Sequence, residues 1–383
     1  MTDTIEILER LIAFPTLSRQ PNRDLIEYAR GLLEAAGAHC EMVGETDGSR
    51  MNLYATIGPR DRAGVMLSGH TDVVPVEGQD WSVDPFRLTQ QNGRLLGRGT
   101  ADMKGFVACA LAAAGRAGTL ETPLHLALSY DEEIGCIGVR SLVEMLKEAP
   151  VRPALCIVGE PTAMAVATGH KGKTALQTIC RGREGHSALA PLAMNALHLA
   201  ADFIDILRRE QVALAETGLR DGDYDVPYTT VHAGILRGGV QVNIVPNRAE
   251  VDWEIRNLAG DDPQEILARI RAASDRLVAE TDDADARVEI AETNAYPGLD
   301  TPKMAEAVQF VSSLTGANGT IKVAFGTEGG LFDRDLAVPT VVCGPGSMTQ
   351  GHKPDEYVAI DDLTRCDAML DALLHRLRDG LEV

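Results

Sequence analysis

The feature that most constrains the fold is a series of short apolar runs that each lead into a histidine or a carboxylate. In the first, residues 65–68 have the length and apolar character of a buried strand, and Gly69 ends it before His70 and Asp72. Similar runs cover residues 123–130, 154–159 and 338–344. In open α/β sheets, functional sites form at the carboxyl ends of the strands. The sequence therefore predicts an α/β fold with a polar site at one sheet edge.

The candidate site residues that follow these runs are Glu132, Glu133, Glu160 and His352, and a glycine-bounded turn adds Asp102. Each has an ordinary alternative explanation. Asp102 could cap the helix predicted over 106–117, Glu132 and Glu133 could be solvated loop charges, Glu160 could be a turn residue, and His352 could be exposed. Together they favour a metal site, because clustered carboxylates are costly to bury without a cation. The nitrogen and oxygen donors suit zinc, cobalt or manganese.

Four motifs carry a resemblance to a known family. They span residues 68–75, 97–105, 130–136 and 159–162, and they are supported by segments 169–172, 326–332 and 344–357. In their order and spacing they resemble the dinuclear zinc deacylases and aminopeptidases over essentially the whole chain. The resemblance implies a catalytic domain built on a mixed, largely parallel sheet flanked by helices. It also implies an inserted α+β domain of the ferredoxin-like type that serves in dimerisation and as a lid.

The resemblance also implies a ligand set for two divalent metal ions, with zinc expected and cobalt as the alternative. Asp102 would bridge the ions, His70 and Glu160 would complete one site, and Glu133 and His352 would complete the other. Asp72 would support His70, since residues two apart on an extended segment share a face. The resemblance implies that Glu132 is the general base. Such a division suits the geometry, because adjacent side chains on an extended segment point in opposite directions and the two glutamates cannot easily do one job.

Three further residues are assigned through the same resemblance, and Glu328 is a fourth candidate because of its own charge. His186 would enter the active site of the partner subunit and stabilise the oxyanion, which implies a homodimer. Asn243 and Arg256 match substrate-binding positions, and a guanidinium suits an α-carboxylate. Glu328 is a candidate partner for a cationic substrate side chain. From the residues alone, His186 could be a turn histidine, Arg256 a surface charge at a strand end and Glu328 an ordinary turn carboxylate.

The predicted function is that of a metal-dependent hydrolase acting on linear amides. Within the family, the motifs favour removal of the acetyl group from N2-acetyl-L-ornithine, giving L-ornithine and acetate in arginine synthesis. An aminoacylase, a succinyl-diaminopimelate desuccinylase or a dipeptidase would share every metal ligand, so these alternatives stay open. A protein of a different class, which binds ligands on the same fold without catalysis, is disfavoured by the complete ligand set and Glu132.

The order of predicted elements indicates two domains in a chain of 383 residues. Helices and strands alternate over residues 1–172, and this alternation resumes over 294–383. Between them, residues 173–293 predict strand, helix, strand, strand, helix and strand, which is the ferredoxin-like order. The catalytic domain is therefore expected to consist of 1–172 and 294–383, with the dimerisation and lid domain inserted at 173–293.

Composition excludes several classes of protein. The formal charge of −20 argues against nucleic acid and anionic membranes as partners, and it mildly favours cationic small molecules. The small-molecule N-acyl amino acid expected as the substrate is what the family resemblance implies. No apolar run is long enough to span a membrane, and the first residues lack the positive start of a signal peptide. Seven scattered cysteines without a metal-type spacing predict reduced thiols. A cytoplasmic location is expected.

Overall fold

The computed structural model describes residues 3–281 and 283–381. It divides into two compact units. Unit 1 holds the described residues up to Gly169, Leu299–Val323 and those from Thr327 onward, and unit 2 holds His170–Gly298 and Ala324–Gly326. The expected insert, residues 173–293, lies within unit 2.

The described residues form nine α-helices. They are α1 (Thr4–Ile12), α2 (Arg23–Ala35), α3 (Lys104–Arg116), α4 (Val139–Lys147), α5 (Ala196–Thr217), α6 (Pro263–Thr281), α7 (Glu306–Thr315), α8 (Gly329–Leu336) and α9 (Ile360–Asp379), with a 3-10 helix at Ser187–Leu192. Most are amphipathic and bury one face. Helix α3 is the exception, since every residue from its start to Ala114 is buried. Such a helix belongs at the centre of a core.

The strands are short and bounded by glycine or polar turns. They are β1 (His39–Gly44), β2 (Met51–Ile57), β3 (Val65–His70), β4 (Thr89–Gln91), β5 (Arg94–Leu96), β6 (Leu124–Ser129), β7 (Leu155–Pro161), β8 (Val166–His170), β9 (Lys173–Arg181), β10 (Gly185–His186), β11 (Thr230–Gly238), β12 (Ile244–Val245), β13 (Arg248–Arg256), β14 (Arg287–Tyr296), β15 (Leu299–Asp300), β16 (Thr320–Val323), β17 (Thr340–Gly344) and β18 (Tyr357–Ala359).

The main sheet has the order β1-β2-β6-β3-β7-β17-β8-β15, with β16 paired to β8. Its centre is parallel, because β6, β3, β7 and β17 run side by side in one direction. Strands β1, β2 and β8 pair antiparallel toward the edges. The four central strands are buried along their whole length, as continuous apolar runs in a helix-covered parallel sheet should be. The predicted mixed, largely parallel α/β fold is confirmed.

Unit 2 contains an antiparallel sheet of order β11-β13-β9-β14. In chain order the main elements are β9, α5, β11, β13, α6 and β14, so the first and third strands lie at the centre of the sheet. Its core packs apolar side chains of α5 and α6 against one face of the sheet, with Phe203 and Trp253 edge to face at 5.8 Å. The opposite face carries mainly polar residues, which explains the strict alternation along β13.

Two other findings bear on the class of protein. Within residues 3–281 and 283–381, no helix combines the length and apolar character that a membrane crossing requires. All seven cysteines are free thiols, and six of them are buried. They behave as small apolar core residues, as their positions in apolar runs predict.

Candidate metal centre

The carboxyl ends of the parallel strands bring the candidate ligands of unit 1 together. His70 is the last residue of β3, Glu133 follows β6, Glu160 lies near the end of β7, and His352 lies in the loop after β17. These strands are neighbours in the order β6-β3-β7-β17, so the side chains that follow them gather at one edge of the sheet. Asp102 reaches the same place from the turn before α3. It does not cap that helix, whose N-cap is Met103.

Asp102 lies between the two histidines. Its Oδ1 is 2.9 Å from His70 Nε2, and its Oδ2 is 3.2 Å from His352 Nε2. Glu160 Oε1 is 3.8 Å from the same nitrogen of His70, and Glu133 Oε2 is 2.9 Å from the same nitrogen of His352. One carboxylate thus faces two clusters, each with one histidine and one glutamate.

The electrostatics of this cluster suit cations. Burial raises the pKa of Glu133 to about 7, with a further increase from the Asp102 charge, and it raises the pKa of Glu160 well above its usual range. Burial also acts to raise the pKa of Asp102, but hydrogen bonds from His352 and His70 outweigh it and lower that pKa. Hydrogen bonds to Asp102 and Glu133 raise the pKa of His352 to about 10. Since burying so many carboxylates together is unfavourable without positive charge, the residues fit divalent ions.

The ring of His70 is fixed by its second nitrogen. Nδ1 lies 2.9 Å from the backbone carbonyl of Asp72, which can only accept a hydrogen bond, so Nδ1 carries the proton. Nε2 is then the nitrogen that faces Asp102 and Glu160. Burial acts to lower the pKa of His70, but hydrogen bonds to Asp102 and Asp72 outweigh it and raise that pKa well above its usual range. A histidine held in this way is ready to ligate a metal through Nε2.

The Asp72 side chain connects His70 to the segment that follows β6. Its Oδ1 lies 3.6 Å from His70 Nδ1 and accepts the N–H of Glu132 at 3.0 Å. Its Oδ2 accepts the N–H of Glu133 at 3.3 Å and the hydroxyl of Ser18 at 2.8 Å. Asp72 therefore supports His70 and also fixes the backbone of both glutamates.

Glu132 and Glu133 face different partners, as their adjacent positions predict. Glu133 contacts His352, whereas Glu132 is 9% exposed and accepts a hydrogen bond from the Cys136 thiol at 3.3 Å. Burial raises the pKa of Glu132 well above its usual range. An oxygen of Glu132 also lies close enough to His70 and Glu160 to share one ion with them. A carboxyl group of raised pKa beside a metal cluster has the properties of a general base.

Glu328 lies at the N-cap of α8 and is almost completely buried. Its Oε2 accepts a hydrogen bond from Ser68 at 3.1 Å, whereas its Oε1 has no hydrogen-bond partner in the described part of the chain. Burial raises its pKa to about 7. The sequence predicts contact with a substrate, and the structure places this carboxyl group against Ser68 of β3, the strand that ends at His70.

The remaining predicted residues belong to unit 2. His186 and Asn243 lie close together, because β10 pairs with β12 and the Ser187 N–H donates to the Asn243 carbonyl at 3.1 Å. His186 is exposed, and its Nδ1 accepts the Ala188 N–H, so its proton is on Nε2. Arg256 donates to Glu254 at 3.0 Å and to the hydroxyl of Tyr296 at 3.1 Å. These bonds leave part of its five-donor guanidinium for other acceptors.

The structure also reveals supporting residues that sequence reasoning missed. Asp131, which precedes the two glutamates, accepts the Arg19 N–H at 2.6 Å and pairs with the Arg50 guanidinium. Arg50 in turn lies over the Tyr130 ring. These partners are separated by about 80 residues or more along the chain, and no local motif links them. Only the run of three carboxylates after a strand indicated that a counter-charge was needed.

Comparison with known proteins identifies the family. Residues 66–376 match the model of peptidase family M20/M25/M40. An acetylornithine deacetylase of Myxococcus xanthus is 35% identical over 379 residues, which cover 97% of both chains. The enzyme of the same name from Pasteurella multocida (strain Pm70) is 31% identical over 390 residues, 98% of both chains. A solved M20 family metallo-carboxypeptidase of Sulfolobus solfataricus superposes with a TM-score of 0.78 at 19% identity, covering 99% of this chain and all of that one.

The chain therefore belongs to peptidase family M20/M25/M40. The predicted resemblance to a deacylase of this family is confirmed, and so is the prediction of a hydrolase. The family match and the cluster of histidine and carboxylate ligands also support the prediction of metal binding.

Proposed function

We propose that the protein is a two-metal amidohydrolase that removes the acetyl group from N2-acetyl-L-ornithine, giving L-ornithine and acetate for arginine synthesis. The observation that carries the proposal is the position of Asp102, whose two oxygens face two histidines. The names of the full-length relatives support the choice of substrate. His70 and Glu160 would hold one ion, Glu133 and His352 the other, and Asp102 both, with zinc as the expected metal and cobalt as the alternative.

The protein residues have separate tasks in this reaction. When bound, the metal pair supplies Lewis-acid activation of the amide carbonyl and of a water molecule. Glu132 accepts the proton from the attacking water and passes it to the leaving amine of ornithine, while the other product is acetate. Asp72 holds the backbone of Glu132 in place for both transfers. The S–H of Cys136 orients one oxygen of the Glu132 carboxyl group.

Three residues of unit 2, together with Glu328 of unit 1, are further candidates for roles in the proposed reaction. His186 would donate its Nε2–H to the oxyanion that forms from the amide carbonyl, a contact that is commonly worth a few kcal/mol, about 2.7–4 in measured cases. Arg256 and Asn243 would bind the α-carboxylate of the substrate. Glu328 would favour the cationic side chain of ornithine through the charge of its ionised form and not through direct contact, because the residue is only 1% exposed.

We also propose that the protein is a cytoplasmic homodimer. Among the described residues, most exposed large apolar side chains belong to unit 2. The most exposed of those in unit 2 are Leu189 (58%), Leu192 (73%), Val240 (82%) and Val242 (fully exposed). Apolar side chains concentrated in this way mark a protein interface more often than plain solvent-facing surface. They flank His186 and Asn243 in the sequence, as a contact with the partner subunit near those residues requires.

The substrate is tested by comparing kcat/KM on protein reconstituted with zinc or with cobalt. The panel contains N2-acetyl-L-ornithine, N-acetyl-L-methionine, N-succinyl-diaminopimelate and a dipeptide, and the Glu132→Gln variant controls for contaminating activity. We expect N2-acetyl-L-ornithine to have the highest kcat/KM. A higher kcat/KM for another compound of the panel would contradict the proposed substrate, while the proposed roles of the catalytic residues would stand. Inactivity of the metal-loaded protein on the whole panel would favour a binding protein on the same fold.

A further inference from the structure

A buried ion pair lies directly behind the proposed metal ligands. Arg98 and Glu356 are each 1% exposed, and Arg98 Nη1 donates to Glu356 Oε2 at 2.6 Å. They come from distant parts of the sequence, 258 residues apart, and neither has a role in the proposed chemistry. Burying two charges is unfavourable unless their geometry is good and further hydrogen bonds satisfy their remaining donors and acceptors. The further bonds of this pair lead to two metal ligands.

The first branch of this network reaches Asp102. The second oxygen of Glu356, Oε1, accepts the backbone N–H of Ala101 at 2.9 Å and that of Asp102 at 3.1 Å. These two bonds hold the main chain of Asp102 in place. The backbone N–H of Gly97 also donates to the Glu356 carbonyl at 3.0 Å, which closes the turn around Asp102.

The second branch reaches His352. Arg98 Nη2 donates to Gln79 Oε1 at 2.6 Å, and Gln79 Nε2 donates to the backbone carbonyl of His352 at 2.9 Å. Trp81 fixes the same amide, since its indole N–H also donates to Gln79 Oε1 at 3.0 Å. His352 has a φ of 61°, in the left-handed region that residues other than glycine seldom occupy. The bond from Gln79 stabilises this backbone conformation.

We propose that Arg98, Glu356 and Gln79 form a positioning network that sets the spacing between Asp102 and His352. This spacing would determine how tightly the second metal ion, the one held by His352 and Glu133, is bound. The proposal rests on the metal centre proposed above. Both ligands are connected to the guanidinium of Arg98, Asp102 through Glu356 and His352 through Gln79. A shift of Arg98 would therefore move both. Partners of metal ligands commonly contribute about 10- to 100-fold to metal affinity.

Two isosteric substitutions separate the branches. Glu356→Gln keeps an oxygen that can accept the two backbone N–H groups, but it removes the charge that pairs with Arg98 and places an amide against the guanidinium. Gln79→Glu keeps the acceptor for Arg98 and Trp81, but it removes the donor to the His352 carbonyl. The control is Leu370→Ala in the core of α9, which lowers stability without contacting the network.

The test measures zinc binding by equilibrium dialysis and elemental analysis, together with the thermal unfolding of the metal-free proteins. We expect Gln79→Glu to weaken the ion held by His352 and Glu133 by about 10- to 100-fold and to leave the other ion in place. Glu356→Gln should weaken both ions, because Asp102 contributes to each. The visible spectrum of the cobalt-loaded Gln79→Glu protein should change as well.

Two results would overturn the network. One is unchanged zinc affinity in both variants, and the other is a loss no larger than in Leu370→Ala at a matched drop in unfolding temperature. Metal binding is measured without substrate, so failure of the substrate proposal leaves this test intact. Wild-type protein that binds no second ion would instead refute the proposed metal centre itself.

Discussion

At the residue scale, Asp72 has the largest number of separate functions in the candidate site. A single carboxylate accepts the backbone N–H groups of Glu132 and Glu133, receives the Ser18 hydroxyl and lies beside Nδ1 of His70. The position of Asp72 two residues after His70 predicts only its contact with the histidine. The contact with the glutamates depends on β3 and β6 being adjacent, which no local pattern in the sequence reports.

The first prediction concerns Asp72→Asn. The amide keeps one acceptor, so it can hold only one of the two backbone N–H groups without placing its own NH₂ against the other. We expect metal affinity or kcat to fall by about 10- to 100-fold, with KM changed much less. Steady-state kinetics and elemental analysis measure both quantities. Wild-type values for both would show that the hydrogen bonds of Asp72 are not needed for the site.

The second prediction compares two neighbouring isosteric changes. Glu132→Gln should retain both metal ions and lose about 10²- to 10⁴-fold in kcat, because the general base is removed. Glu133→Gln should instead lose the ion that Glu133 shares with His352. Elemental analysis after dialysis, together with kcat for N2-acetyl-L-ornithine, distinguishes the two. If Glu132→Gln loses metal instead, Glu132 is a ligand, as its distance from His70 and Glu160 also allows.

At the element scale, the site depends on how closely α3 packs against β7. A Cβ added to Gly159 would lie 1.9 Å from the ring of Phe106, which is buried in α3. Glu160 is the next residue of β7. The close approach of helix and strand therefore sets the depth of a proposed ligand, and glycine is required for this packing.

The third prediction follows from this contact. Gly159→Ala should destabilise the protein by at least about 1–3 kcal/mol, because the core cannot accept the added methyl group. It should also weaken metal binding through Glu160. The matched control is Gly115→Ala near the end of α3, where an added Cβ has open space. This substitution should raise the free energy of unfolding by about 0.5–1 kcal/mol. Thermal unfolding of both variants measures the effect, and equal stability would contradict the packing argument.

The fourth prediction concerns acid stability and the pairing of β2 with β6. His125 on β6 lies opposite Thr56 on β2, and the two side chains form a hydrogen bond of 3.0 Å. Burial lowers the pKa of His125 to about 4, below the usual value of 6.5. The unfolded chain therefore binds a proton between pH 6.5 and 4 that the folded chain does not, so stability falls as the pH falls through this range.

We expect His125→Gln to remove this contribution. Between pH 7.5 and pH 5, the metal-free wild type should lose about 2 kcal/mol more unfolding free energy than the variant. Urea denaturation at the two pH values measures the difference. His375→Gln, on the exposed surface of α9, should leave the pH dependence of the wild type unchanged. An equal loss in wild type and His125→Gln would show that His125 does not remain neutral in the folded protein.

Elements were more predictable from the sequence than the bonds between them. Helices α1, α2 and α9 each bury one continuous stripe of their own sequence, which is a pattern that apolar periodicity alone can predict. The strand order could not be read in this way. Arg98 pairs with Glu356 across 258 residues and Ser68 with Glu328 across 260, and such contacts exist only after the sheet and the loop after β17 have formed.

At the scale of the whole molecule, the open question is how many chains complete one active site. The structure places the proposed metal ligands in unit 1 and His186, Asn243 and Arg256 in unit 2. The exposed apolar side chains of unit 2 support a homodimer, in which a partner could supply His186. Activity of mixed dimers separates a histidine supplied by the partner from one supplied within the same chain.

The fifth prediction is therefore a complementation experiment with Glu132→Ala and His186→Ala. Each variant alone should be nearly inactive, one for lack of the base and the other for lack of the oxyanion donor.

If His186 acts in the partner's site, a mixed dimer contains one site with both defects and one with neither. Equal mixing with free exchange of subunits should then restore about a quarter of wild-type activity, since half of the dimers are mixed and each has one working site. If His186 acts within its own chain, both sites of a mixed dimer carry one defect, and mixing restores nothing. Size-exclusion chromatography of the mixture, with one variant tagged, verifies that mixed dimers have formed before activity is compared.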